Sequence, residues 1–73
     1  MEVVSMATLT PAYGRDYKSQ AEVEADFRAG KDFILNDFMS QWDGKPCSIR
    51  DFPAGTQITL RYKKKSNVII VTI

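Results

Sequence analysis

Strict alternation of apolar and polar residues marks the last part of the chain. Ile58, Leu60 and Tyr62 alternate with Gln57, Thr59, Arg61 and Lys63, the period of a strand with one face buried and one wet. A second run, VIIVTI from Val68 to Ile73, is rich in β-branched residues, which are stiff at χ1 and suit a pleated surface. Lys64 to Asn67 supplies the turn between them, Asn being tolerant of the left-handed backbone that tight hairpins need. The pattern therefore predicts a β-hairpin over about 56–73. Central turn residues Lys65 and Ser66 would pair Tyr62 with Ile69, Leu60 with Val71 and Ile58 with Ile73. Moving the centre to Ser66 and Asn67 keeps the same faces together, so the faces are set more firmly than the register. The other face of the last strand still carries Val68 and Ile70. Cover by a helix or loop of the same domain is the economical arrangement; the alternative is cover by another chain.

Upstream the signals are shorter. Ala7 to Tyr13 has strand content, with Pro11 placing it at a sheet edge or ending it there. Tyr13 to Lys18 reads as a loop around Gly14. From Ser19 to Gly30 the apolar residues Ala21, Val23, Ala25, Phe27 and Ala29 fall on every second position, which is a strand period. Composition opposes it: Ala, Glu, Gln and Arg favour helix, and Ser19 and Glu22 have the spacing of a capping box. Gly30 suits a left-handed stop, and Glu22, Glu24 and Asp26 lie toward the positive end of a helix dipole. The prediction is a helix from about Gln20 to Ala29, laid across a sheet through Val23 and Phe27. Lys31 to Asp37 is a second strand, with Phe33 and Leu35 on one face and Ile34 on the other. In the patternless stretch Phe38 to Pro46, Asp43 and Gly44 mark a turn. Phe38, Met39 and Trp42 are too large to be idle, so this loop should fold over a sheet edge or line a groove. Ser48 to Phe52 reads as one helical turn capped by Ser48 and ended by Pro53. Met1 to Ser5 is expected to be a weakly ordered start, with Met6 a second candidate initiator. The fold class is α+β: a mostly antiparallel sheet of three to four strands, one helix on one face and the C-terminal hairpin, in one small domain over 1–73.

At 73 residues, such a domain buries roughly 60 to 65% of the surface its unfolded chain exposes. Stability is then marginal or helped by a dimer. A hydrophobic fraction of 44% with 26% charged residues sets the chain apart from disordered sequences. No stretch approaches a membrane span and the start lacks a signal peptide's features, so a cytoplasmic location without membrane contact is expected. One cysteine and no histidine leave no internal disulfide or cysteine-built zinc site, and remove the commonest transition-metal ligand. The glycines stand singly, without a phosphate-binding loop. No cofactor, metal or small-molecule substrate is indicated. The charge is uneven: residues 1–52 carry six basic residues against nine acids, while residues 53–73 carry four basic residues and no acid.

Catalysis finds little support in these residues. Cys47 has no histidine to activate it, and Lys45 or Asp51 is a poor substitute, so a half-buried thiol is the simpler reading. Asp32 with Asp37, or Asp43 with Asp51, has the chemistry of an acid–base pair or cation site; among nine acids such pairs arise by chance, and solvated carboxylates are expected. Two binding surfaces remain. Phe38, Met39, Trp42, Val68 and Ile70 combine large apolar groups with a charged rim, as protein interfaces do, and the last strand offers an edge for strand addition. The competing reading puts these side chains in the domain's own core. Arg61, Lys63, Lys64 and Lys65 on a projecting hairpin, with Tyr13, Arg15, Tyr17 and Lys18 interleaving aromatics and cations, can meet phosphates and stack bases. An isoelectric point near 7.8 falls short of the usual basic footprint, and lysines at hairpin tips also serve against aggregation.

The strings TPAYGRDYKS, GKDFILNDF and PAGTQITLRYKK resemble a group of small proteins of unknown function encoded by tailed bacteriophages and prophages, over most of the chain from Leu9 to Lys64. The resemblance implies a phage or prophage accessory protein made in a bacterial cytoplasm, and it transfers no active residue. The expected function is non-enzymatic: binding of a protein partner or of itself, with nucleic-acid binding through the basic hairpin as the alternative.

Overall fold

Two strands far apart in sequence lie side by side at the centre of the sheet. The computed structural model describes residues 6–73; the expected weak order of Met1 to Ser5 lies outside them. The elements are β1 (Met6–Pro11), α1 (Gln20–Arg28), β2 (Phe33–Leu35), β3 (Pro46–Cys47), a 3-10 turn (Ile49–Asp51), β4 (Gln57–Tyr62) and β5 (Asn67–Thr72). The strands form one sheet in the order β3-β2-β1-β4-β5. β1 runs parallel to β4, with Met6 opposite Gln57 and Leu9 opposite Leu60. The other three pairings are antiparallel. The α+β class is as expected, but among the described residues the sheet has five strands and is mixed, because β1 lies antiparallel to β2 on one side and parallel to β4 on the other. Pro11 ends β1, where a missing N–H interrupts no later rung of the ladder.

The helix follows the composition and not the two-residue alternation. Ser19 Oγ accepts the Glu22 N–H at 3.3 Å, Arg28 Nε donates to Glu24 at 2.8 Å one turn earlier, and Gly30 leaves the helix at φ 91°. Val23 and Phe27 are its fully buried residues. They pack on the sheet face that carries Leu9, Phe33, Leu35, Ile58, Leu60, Tyr62 and Val71. Phe27 meets Phe33 edge to face, with ring centres 5.9 Å apart. Phe33 and Leu35 point into this core and Ile34 away from it, as the short β2 pattern predicts.

In the hairpin, the faces agree with the alternation and the register does not. Tyr62 pairs with Asn67, Leu60 with Ile69 and Ile58 with Val71, two residues from the first predicted register. The turn is Lys63 to Ser66, and the left-handed positions are Lys63, Lys64 and Lys65, with Asn67 inside β5. A shift of two keeps every side chain on its face, which is why the core survives the error. The helical turn expected at Ser48 is present as 3-10, and Asp51 closes it by accepting the Ser48 N–H at 2.7 Å.

Candidate interaction surfaces

β5 forms one outer edge of the sheet. Ile73 N–H donates to Thr56 O at 3.0 Å, and Ile73 O accepts from Gly55 N–H at 2.7 Å. Bonding alternates along an antiparallel ladder, so Ile69 and Val71 bond inward to β4 while the N–H and C=O of Val68, Ile70 and Thr72 point away from the sheet. The side chains of Val68 and Ile70 are 47% and 63% exposed. Among the described residues no helix or loop covers them, which corrects the economical expectation: α1 lies on the other face. The strand's six residues, NVIIVT, contain no charge and no proline, and its register with β4 is unbroken by a bulge. Edge strands are usually blunted by such devices; here the lysines stop at the turn.

The loop between β2 and β3 stands at the opposite edge. Asp43 Oδ1 accepts the Asp37 N–H at 2.8 Å, Asp37 Oδ1 accepts the Met39 N–H at 3.1 Å, and Ser40 Oγ accepts the Trp42 N–H at 3.0 Å. These carboxylates hold loop backbone, and among the described residues no three His, Cys, Asp or Glu side chains are grouped to hold a metal ion. Phe38 and Met39 project into water, while Trp42 lines a groove of about 380 Å³ with Leu35, Pro46, Cys47, Asp51 and Phe52. Burial, and then the nearby Asp51 and Asp32 charges, push the Cys47 thiol above its ordinary value, so it stays protonated. Phe38, Met39 and Trp42 are thus separated from Val68 and Ile70 by the width of the sheet.

The cationic candidates divide differently. Tyr17 is buried, stacks on Phe33 at 6.0 Å and donates its hydroxyl to Asp26 at 2.6 Å, so it belongs to the core and offers no face to a base. Arg15 is also engaged: Nε donates to Ala12 O at 3.1 Å, Nη1 to Tyr17 Oη at 2.9 Å and Nη2 to Asp32 O. Tyr13 stays exposed, and Lys18, Arg61, Lys63, Lys64 and Lys65 project into solvent. The two cationic segments meet through Asp16, which the sequence reading passed over. Its Oδ1 accepts the N–H of Lys63 and of Tyr17, and its Oδ2 the N–H of Lys64, all at 2.8 Å. Aspartate in a turn signals a bond to nearby backbone; nothing local signals a partner 47 residues away.

These bonds predict the acid response. The Tyr17 amide first, then those of Lys64 and Lys63, lower the Asp16 carboxyl below 3.8, and the Tyr17 hydroxyl first, then Lys31 and Arg15, lower Asp26. A lowered folded-state value gives stability that is present above the unfolded value and lost as pH falls through the folded one. Stability should therefore decline below about pH 4, and Asp16→Asn should flatten that decline in denaturant titrations; an unchanged slope would remove Asp16 from the account. Tyr17 behaves oppositely: burial and Asp26 raise it to about 12, so its contribution is lost in alkali between its unfolded value and that one.

No family model matches the chain, and no curated protein or solved structure shows significant similarity to it. Among the described residues no helix is long and apolar enough to cross a membrane.

Proposed function

We propose that the protein is a small non-enzymatic interaction module of phage accessory type, made in a bacterial cytoplasm, that acts by binding a protein partner or a second copy of itself. The observation that carries this reading is β5: an uncharged outer strand whose outward backbone groups and two exposed aliphatic side chains are available together. Main-chain bonds from an added strand supply affinity, and Val68 and Ile70 on one face supply selectivity. The action is steric, since occupation of the partner needs no chemistry.

Strand addition between copies is tested by light scattering after size-exclusion chromatography. The mass should rise with concentration from the 8.3 kDa of one chain, and Ile70→Lys should abolish the rise while leaving the melting temperature within a few degrees, roughly 0.5 kcal/mol for a surface change. A wild-type chain that stays at 8.3 kDa up to roughly millimolar concentration would leave only the other protein as partner. Strand addition itself fails if the amides of Val68, Ile70 and Thr72 are as protected from hydrogen exchange as those of Ile69 and Val71 in that monomer, because the edge would then not be free.

A further inference from the structure

We propose that a track running from Tyr13 across the lysine tip of the hairpin binds the phosphodiester backbone of single-stranded nucleic acid, and that Asp16 holds this track in shape. The tip is unusual in its backbone: Lys63, Lys64 and Lys65 have φ of 51°, 53° and 71° in succession. Residues with a Cβ hold such angles at a cost, and only where the surroundings impose them. Successive amides in this conformation make a concavity suited to an anion, and the chain fills it with its own Asp16 carboxylate. Ser66 Oγ donates to Lys63 O at 2.6 Å and closes the turn from within. The backbone's capacity for an anion is met internally and the Lys64 charge also acts on Asp16, while the ammonium groups of Lys18, Lys63 and Lys65 remain for an external one. Among the described residues no carboxylate lies within ion-pair distance of Lys18, Lys63, Lys64 or Lys65.

The cations join into a track. One hollow of about 290 Å³ lies between Lys18, Lys63 and Lys64, and a second of about 160 Å³ between Arg15, Lys64 and Lys65, with Asp16 in the wall of both. Arg15 also borders a third, of about 340 Å³, with Tyr13 and Lys31. The Tyr13 side chain is held by its hydroxyl, which donates to Asp32 at 3.2 Å, while the residue is 72% exposed. A fixed, exposed aromatic beside a cationic hollow is the arrangement that stacks an unpaired base next to a bound phosphate. The acids along the track are all engaged: Asp16 by three amides, Asp32 by Tyr13, and Asp26 by Tyr17, Arg15 and Lys31. Reading of a duplex groove by a helix is disfavoured, because α1 presents Glu22, Glu24 and Asp26 against Arg28 alone.

The test is fluorescence anisotropy of a labelled single-stranded oligonucleotide of about twenty nucleotides, with salt as the variable. Contacts to three or four phosphates give a slope of log affinity against log salt of about −2 to −3. Lys64→Glu with Lys65→Glu should lower affinity at least about tenfold and flatten the slope by one or more. Tyr13→Ala should lower affinity about tenfold at unchanged slope, since stacking releases no counterions. Asp16→Ala makes the protein more positive, yet it should bind more weakly because the tip is released. If that variant fails to fold, Asp16→Asn is read with the same sign. The proposal is overturned by absence of binding at about 50 mM salt, by an unaffected lysine double variant, or by tighter binding of the Asp16 variant. It is equally overturned if polyglutamate or phosphatidylserine vesicles compete as well as the unlabelled strand does.

Discussion

Phe27→Ala is expected to lower the free energy of unfolding by about 3 to 5 kcal/mol. Phe27 is fully buried, is the largest side chain that α1 contributes, and meets Phe33 of the sheet in a T-shaped contact. Only Val23 joins it in the core from that helix, so the remaining contact cannot hold α1 in place or fill the gap. In a domain of this size each kilocalorie moves the melting temperature by about 4 to 8 °C, which makes the expected fall roughly 12 to 40 °C. Since total stability is about 5 to 15 kcal/mol for ordinary domains and lower for small ones, much of the mutant chain would be unfolded at room temperature. Phe38→Ala is the matching control: Phe38 is 88% exposed, and its loss should change stability by no more than about 0.5 kcal/mol. A Phe27→Ala melt within about two degrees of wild type would mean that the helix does not hold the sheet together.

The second large effect is expected at Arg15. Its guanidinium donates to Ala12, Tyr17 and Asp32, lies 3.7 Å from Asp26 and sits 5.2 Å from the centre of the Phe33 ring. It therefore joins the loop after β1 to the start of β2 and to the helix. Arg15→Ala should cost about 2 to 3 kcal/mol, because charge-assisted bonds are lost and the part-buried acceptors keep their desolvation cost. Arg15→Lys should recover little of this, since one ammonium cannot reach three acceptors and lie flat on a ring. Tyr17→Phe, which removes one hydroxyl between Arg15 and Asp26, should cost about 1 kcal/mol. Denaturant titration of the three variants checks the ranking; an Arg15→Lys variant as stable as wild type would show that charge alone matters there.

What could be read in advance was set by local pattern. The alternation around Ile58, Leu60 and Tyr62 is a one-strand property, and the structure keeps it. α1 was legible because capping and propensity outweigh a two-residue period that small alanines leave without energetic weight. The observed register differs from the expected one since a turn of three left-handed lysines contradicts every local preference; the carboxylate that holds this turn, Asp16, lies far away in the sequence. The parallel β1–β4 pairing is likewise a long-range choice with no short motif. At the candidate surfaces, chain order suggested that Arg15 and Tyr17 belonged with the exposed cations and aromatics, whereas the fold turns both toward Phe33 and Asp26. The exposure of Val68 and Ile70 depended on which sheet face the helix covers, and one helix can cover only one.

The place of β1 also bears on how the chain is made. Its residues leave the ribosome well before those of β4, the neighbour to which it is hydrogen-bonded in parallel. Until then the nascent polypeptide holds a helix and short pieces that have no central scaffold to dock on, and ordering must wait for a closure that spans most of the molecule. The sheet would begin to close only after β4 has emerged, leaving unpaired strand edges free to meet other chains during that interval.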